Sequence, residues 1–223
     1  MPCAWIGSDG PGASAFRPGS RQNARMTMLT VWADDRPETP ILQTSDHAAI
    51  AEALTPIGVV YEHVPVGGQL SDTATQEEVL EVHRPLVDRL VAEHGYRLVD
   101  VAQLHPVDSD EWRATAEAAR AKFLNEHTHD EEEIRYFVAG SGVFYLHVDG
   151  RVHAMLCTQG DLLSVPALTT HWFDMGTSPD FTAIRFFHDD DGWVGTFTGS
   201  DISTHFPTFA ELTAAAALVD ASA

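Results

Sequence analysis

Two histidines, His127 and His129, are followed closely by Glu133 and Arg135. Side chains on a β-strand alternate between its two faces with a period of two. If this segment is extended, its odd-numbered polar side chains point to one side, and the even-numbered positions from 134 to 138 supply an apolar opposite face. The segment therefore predicts a half-buried strand that directs imidazoles, a carboxylate and a guanidinium into one pocket.

A further ligand-type side chain, His171, follows Glu133 after 38 residues. Two hairpin signals separate them: the pair Gly140 and Gly142, and the dipeptide Asp149-Gly150, which favours a type I′ turn. Antiparallel strands joined by such turns would return the chain to the first cluster. Three imidazoles and one carboxylate suit a divalent transition metal used for chemistry, whereas a structural zinc is usually enclosed by four thiolates or imidazoles. The predicted metal ligands are His127, His129, Glu133 and His171.

The chain has 12 histidines, and the other nine are predicted to be ordinary surface or core residues. None of them has a ligand-type partner at a spacing that suits a metal. These nine are His47, His63, His83, His94, His105, His147, His153, His188 and His205.

The two modules resemble the two sequence motifs of the cupin superfamily. The first motif, His-x-His-x3-Glu-x6-Gly, matches residues 127–140, and the second, Gly-x5-Pro followed by His, matches residues 160–171. Longer stretches between Leu29 and Phe209 are similar to one cupin branch, the acireductone dioxygenases. These stretches are residues 123–129, 133–137, 161–166, 169–176, 181–187 and 197–202.

This resemblance implies a mainly β fold, a cupin jelly-roll (double-stranded β-helix) barrel with N-terminal helices packed on it. It implies one Fe(II) or Ni(II) per chain and, as substrates, dioxygen and acireductone (1,2-dihydroxy-3-keto-5-methylthiopentene) of the methionine salvage pathway. In such a family the Fe(II) form yields 4-methylthio-2-oxobutanoate and formate. The Ni(II) form yields 3-methylthiopropionate, formate and carbon monoxide.

The resemblance and the strand pattern also suggest residues around the ligands. Arg135 is the predicted catalytic residue, because a fixed guanidinium beside the metal favours a doubly deprotonated substrate; the alternative is an ion pair that only orients Glu133. Arg185 interrupts an apolar strand and is a predicted substrate-binding residue, with a structural ion pair as the alternative. The aromatic candidates for the substrate pocket are Phe137, Phe173, Phe187 and Trp193.

Two acids beside the ligands, Glu126 and Glu132, match positions that the family links to metal incorporation. Apart from this resemblance, both glutamates are expected to be solvated surface acids.

Two other functions remain open at the level of sequence. One is a different cupin enzyme, an isomerase or decarboxylase that uses manganese or zinc. The other is a cupin binding module without turnover, which would be expected to lack at least one ligand; all four ligand positions are present here.

The composition and charge of the chain disfavour several classes of binding partner. The net charge of −20 and the pI near 4.7 disfavour nucleic acid and anionic membranes. No apolar run approaches the roughly 20 residues of a membrane-spanning helix. The two cysteines, Cys3 and Cys157, do not resemble a disulfide pair, which favours a reducing, cytoplasmic setting. We expect a monomer.

The chain divides into three predicted parts. Residues 1–25 are predicted to be a disordered extension, with a mitochondrial leader as the alternative. Residues 26–209 are predicted to form a single cupin-type domain whose metal core spans about residues 120–200. Residues 210–223 are predicted to be a frayed helix or a flexible tail.

Helix signals are concentrated in the N-terminal half. Ser45 is a predicted N-cap, Thr75 opens a capping box, and Ser109 precedes a helix that continues to about Phe123. Pro85 is expected to split the helical pattern that follows Thr75, and Gly95 is expected to end it.

Overall fold

The structure is a computed structural model, and it describes residues 26–68, 70–188 and 194–221. The predicted extension, residues 1–25, and Trp193 lie outside the described residues. The strands are β1 (Met28–Ala33), β2 (Leu42–Thr44), β3 (Val60–His63), β4 (Leu98–Leu104), β5 (His127–Thr128), β6 (Glu133–Gly140), β7 (Gly142–Val148), β8 (Arg151–Cys157), β9 (Asp161–Val165), β10 (Thr170–Asp174), β11 (Phe181–Phe187) and β12 (Thr196–Phe197). The α-helices are α1 (His47–Leu54), α2 (Gln76–Val82), α3 (Arg84–His94), α4 (Asp110–Phe123) and α5 (Phe209–Asp220).

The strands form two antiparallel sheets. One has seven strands in the order β12-β5-β10-β7-β8-β1-β2, and the other has five in the order β3-β9-β6-β11-β4. Side chains from both sheets meet in one buried cluster: the ring of Phe173 on β10 lies 6.0 Å from that of Phe181 on β11, centre to centre. The predicted double-sheet barrel is confirmed.

Helices cover the outer faces of the sheets, so both faces are buried. The even-numbered residues of β6, Ile134, Tyr136 and Val138, form a buried cluster with side chains of α2 and α3. This is the apolar face that the alternating pattern predicts. On the outer face of the seven-stranded sheet, a second cluster joins Trp172 and neighbouring strand residues to α5.

The N-terminal helices begin and end close to their predicted signals. Thr75 and Glu78 form the reciprocal capping box of α2. Pro85 lies at the start of α3, so the helical pattern is split in two, and Gly95 ends α3 with a left-handed φ of 74°. The N-cap of α1 is Asp46 rather than Ser45, because the Asp46 carboxylate accepts the Ala49 amide hydrogen bond at 2.8 Å.

The segment predicted to be a C-terminal tail contains helix α5. Thr208 and Glu211 form a capping box at its start, and it buries Phe209, Leu212 and Ala216. The alanine-rich composition that suggested a tail also favours a helix, since alanine has the highest helix propensity. The packed domain therefore extends beyond residue 209.

One of the two predicted hairpins is instead a connection between the two sheets. Gly140 ends β6 in the five-stranded sheet and Gly142 begins β7 in the seven-stranded sheet. Gly140 has a φ of 72°, and a Cβ there would lie 1.9 Å from the carbonyl oxygen of Asp180. At the other site, Asp149 and Gly150 both have positive φ, 52° and 69°, and join the paired strands β7 and β8 as predicted.

Within the described part of the chain, no helix combines the length and apolar character needed to cross a membrane.

Candidate metal centre

The four predicted ligands come from both sheets. His127 on β5 lies directly opposite His171 on β10 in the seven-stranded sheet, whereas Glu133 begins β6 in the five-stranded sheet. The chain leaves one sheet after residue 128 and enters the other at Glu133, so the prediction of one continuous strand from His127 to Arg135 is wrong. The four predicted ligands nevertheless converge, because the connecting residues place His129 beside the other three.

The geometry of the cluster is compact. One ligand atom from each of His127, His129 and His171 lies within 4.8 Å of the others. The Oε2 atom of Glu133 lies 3.2 Å from Nε2 of His129 and 3.0 Å from Nε2 of His171. All four side chains are buried. The structure therefore brings three imidazoles and one carboxylate together in a single protected pocket.

Backbone carbonyls fix the orientation of the three imidazole rings. The Nδ1–H groups of His127, His129 and His171 donate to the carbonyl oxygens of Asn125, Val194 and Thr169, at 2.7, 3.1 and 2.8 Å. When Nδ1 carries the proton, the lone pair of a neutral imidazole is on Nε2. The Nε2 atoms are thus available for a metal, and this outer shell of carbonyls is the usual way in which proteins orient metal-binding histidines.

The electrostatics of the pocket favour a neutral His127 and an ionised Glu133, and they strengthen proton binding at His129. Burial, with a contribution from nearby His171, lowers the pKa of His127 to about 4. Burial also acts to lower the pKa of His129, but the hydrogen bond and charge of Glu133 raise it overall. For Glu133, burial opposes ionisation, yet the Arg135 charge and the two histidine contacts hold its pKa well below the usual range. Metal binding requires a carboxylate and neutral imidazoles, so a bound ion would displace the proton that Glu133 favours on His129.

The donor set fits a divalent transition ion. Imidazole and carboxylate ligands suit iron, nickel, manganese and zinc, and four protein ligands leave two positions open on an octahedral ion. A site with several protein donors and open coordination positions is typical of a metal used for catalysis.

Arg135 lies two residues beyond Glu133 on the same face of β6. Its Nη2 donates to Oε1 of Glu133 at 2.9 Å, while Oε2 of the same carboxylate faces the histidines. The guanidinium carbon lies 4.8 and 5.2 Å from the ring centres of Phe173 and Phe144. The buried guanidinium is therefore in contact with a proposed ligand and with aromatic walls, which agrees with both roles predicted for it.

Arg185 is the cross-strand neighbour of Arg135 and is also buried. Its Nε and Nη2 atoms donate to the two carboxylate oxygens of Asp100 on β4, at 2.8 and 2.5 Å. The structure thus contains the ion pair that was the alternative to substrate binding. Sequence reasoning did not identify Asp100, although an acid within the mostly apolar strand Leu98–Leu104 was a usable signal.

The predicted pocket aromatics occupy different positions. Phe173 contacts Arg135, and the ring of Phe187 lies 5.3 Å from the Arg185 guanidinium. Phe137 is part of the inner core, with its ring 6.3 Å from Phe181. An aromatic that sequence reasoning missed is the exposed Phe197, whose ring lies 5.7 Å from that of His127.

The expectation from composition that Glu126 and Glu132 are solvated acids is wrong. Glu126 is 4% exposed, accepts from the Thr198 hydroxyl at 2.6 Å and lies 2.7 Å from Nδ1 of His147. Glu132 is partly buried and accepts from the hydroxyls of Tyr96 and Ser164. Each acid flanks a ligand and is held by neighbouring polar side chains.

The two facing sheets and the three-histidine, one-glutamate cluster define a metal-binding protein of the cupin class. Comparisons with known proteins narrow this class. The sequence profile of the ARD/ARD′ family matches residues 36–195. The chain belongs to this family.

Proteins with similar sequences support this family membership. An acireductone dioxygenase of Frankia alni is 55% identical over 184 residues, which cover 82% of this chain and 89% of that protein. One from Saccharopolyspora erythraea is 53% identical over 189 residues, covering 85% of this chain and 99% of that protein. A solved structure, an acireductone dioxygenase from Bacillus anthracis with a cadmium ion in its active centre, has a TM-score of 0.66 at 25% identity. It covers 77% of this chain and 98% of its own.

Proposed function

We propose that this protein is a metal-dependent dioxygenase that oxidises acireductone with O2 in methionine salvage. The observation that carries the proposal is the buried cluster of His127, His129, His171 and Glu133, in which ligand atoms of the three imidazoles lie within 4.8 Å of one another and one carboxylate oxygen contacts two of the rings. Membership of the ARD/ARD′ family supports the choice of substrate.

The residues of the site suit an anionic, chelating substrate. Fe(II) or Ni(II), one per chain, would supply Lewis acidity and a template for an enediolate that fills two coordination positions. Arg135 would place a fixed positive charge beside that anion and favour its second deprotonation. The apolar walls formed by Phe144 and Phe173 would keep water away from the ionised substrate.

The proposed ligands are the same for both metals, so the products depend on which ion is loaded. We propose 4-methylthio-2-oxobutanoate and formate for the Fe(II) form, and 3-methylthiopropionate, formate and carbon monoxide for the Ni(II) form. We further propose one domain, from residue 26 through α5, and a cytoplasmic location, with Cys157 as a buried thiol.

The direct test is product identification with defined metals. The protein is stripped with a chelator, reloaded separately with Fe(II) and Ni(II), and supplied with acireductone and O2 while oxygen uptake, organic products and carbon monoxide are measured. We expect uptake with both metals and carbon monoxide only with Ni(II).

Two controls give the baseline, because an ionised enediol also reacts with O2 without a catalyst. They are the metal-free protein and the His129→Ala variant, which should lose most of its bound metal. Oxygen uptake no faster than these controls with either ion would refute the dioxygenase and leave another cupin reaction, an isomerisation or decarboxylation, to be assayed.

A further inference from the structure

We propose a second divalent metal site, formed by His47, His63 and Asp161 and separate from the dioxygenase cluster. One ligand atom from each residue lies within 4.8 Å of the others. The spacing of these residues does not predict such a site, because they come from α1, β3 and β9 and are far apart in the chain.

The fold places this cluster away from the dioxygenase centre. His63 lies directly opposite Asp161 in the β3–β9 pair, while Val165, at the other end of β9, lies opposite Glu133. Val165 is four residue steps along the strand from Asp161, which corresponds to about 13 Å at roughly 3.3 Å per residue. A metal at one site would therefore share no ligand with the other.

Asp161 is a preorganised ligand. Its side chain has no exposure to solvent. Its Oδ2 atom accepts from the Thr158 amide at 2.7 Å and from the Thr27 hydroxyl at 2.5 Å. Its Oδ1 atom lies 3.0 Å from Nδ1 of His63. One carboxylate oxygen is thus fixed by the protein while the other is directed at a histidine.

The two histidines provide access from solvent. Both residues are exposed, and their rings stack at a centre-to-centre distance of 4.2 Å. Nδ1 of His47 contacts the hydroxyl of Tyr61, which donates to Oδ1 of Asp161 at 2.8 Å. Burial raises the pKa of Tyr61 well above its usual range, so the phenol stays protonated and supports the carboxylate rather than acting as an anionic ligand.

Without an ion, the same groups form a hydrogen-bonded network that attaches α1 to β3 and β9. A bound ion would replace the protons on the histidine nitrogens and would need only a small inward movement, because metal–ligand distances are about 2.0–2.2 Å. Two imidazoles and one carboxylate select a transition ion such as Zn²⁺ over calcium or magnesium, which prefer all-oxygen sites.

The test is a zinc titration of the full-length, chelator-stripped protein, with bound metal counted after removal of free ions. We expect two Zn²⁺ per chain for the unsubstituted protein and one for H47A/H63A. The single variant His63→Asn should bind the second ion more than about tenfold more weakly, since even loss of an outer-sphere partner weakens metal sites about 10- to 100-fold.

Two further variants separate this site from the dioxygenase cluster. His129→Ala should lose the first ion and retain the second, and zinc should then raise its melting temperature, because an ion that binds only the folded state stabilises it. His205→Ala removes an exposed histidine elsewhere and should keep both ions. A single zinc in the unsubstituted protein, or two zincs in H47A/H63A shown by circular dichroism to be folded, would overturn the proposal. Both zinc counts are independent of whether the protein oxidises acireductone.

Discussion

Arg135 combines two contacts that normally serve different purposes. It donates to Oε1 of Glu133, and its guanidinium lies over the rings of Phe144 and Phe173. An arginine that only orients a ligand would affect metal affinity, whereas one that stabilises a substrate anion would affect turnover at full metal occupancy. The two roles can therefore be separated by measuring metal content and rate on the same sample.

We predict that Arg135→Met, assayed at full metal occupancy, lowers kcat/KM by at least about 100-fold. The reason is that loss of a fixed charge aimed at developing negative charge typically costs about 2.7–4 kcal/mol of transition-state stabilisation. Steady-state oxygen uptake, with metal content determined on the same preparation, is the measurement.

Arg135→Lys is the matched control, because it keeps the charge and loses the planar fork. It should recover part of the lost rate. If Arg135→Met binds metal poorly but turns over normally per bound metal, the arginine serves only to orient Glu133.

At the scale of elements, the alternating pattern predicts what lies within one strand and fails where the chain changes sheets. Glu133 and Arg135 share a face of β6 and contact each other, as the period of two requires. The rule does not extend back to His127, because residues 129–132 cross between the sheets. Local sequence carries no signal for such a crossing, since it depends on which strands pair later in the chain.

Contacts between distant elements were the least predictable part of the site. The carbonyls of Asn125, Val194 and Thr169 that orient the histidines are backbone atoms, which any residue would provide. The long motifs, in contrast, were enough to predict the barrel and the clustering of the three histidines with Glu133. Helix α5 was predicted only as a frayed helix or a tail because its apolar residues are few among alanines, and only the packed structure shows which of them are buried.

The packing of α5 predicts an asymmetric response to mutation along one helix. Leu212 is 3% exposed and Leu218 is 73% exposed. Leu212→Ala should lower the free energy of unfolding by about 2–5 kcal/mol, as expected for a buried leucine that leaves a cavity. Denaturant unfolding, followed by circular dichroism, measures the change.

Leu218→Ala is the control on the same helix and should change the free energy of unfolding by no more than about 0.5 kcal/mol. Equal, small effects of both substitutions would mean that residues beyond 209 form the flexible tail predicted from the sequence.

For the whole molecule, burial of both faces of each sheet places histidines in apolar surroundings. His83 lies between α2 and α3, is 4% exposed, and packs edge-on against Tyr136 at 5.5 Å. Burial lowers its pKa below the ordinary value of 6.5. As the pH falls below about 6.5, the unfolded chain therefore takes up a proton before the folded protein does, and folding loses stability.

This buried histidine predicts part of the acid sensitivity of the fold. His83→Phe keeps an aromatic ring against Tyr136 but cannot titrate, so its free energy of unfolding should depend less on pH. Relative to the unsubstituted protein, the variant should gain up to about 1.4 kcal/mol between pH 6.5 and pH 5.5, the limit set by one proton per pH unit. Denaturant unfolding in the presence of a chelator measures this difference without a contribution from metal release. Parallel pH profiles for His83→Phe and the unsubstituted protein would show that His83 binds a proton equally well in the folded state.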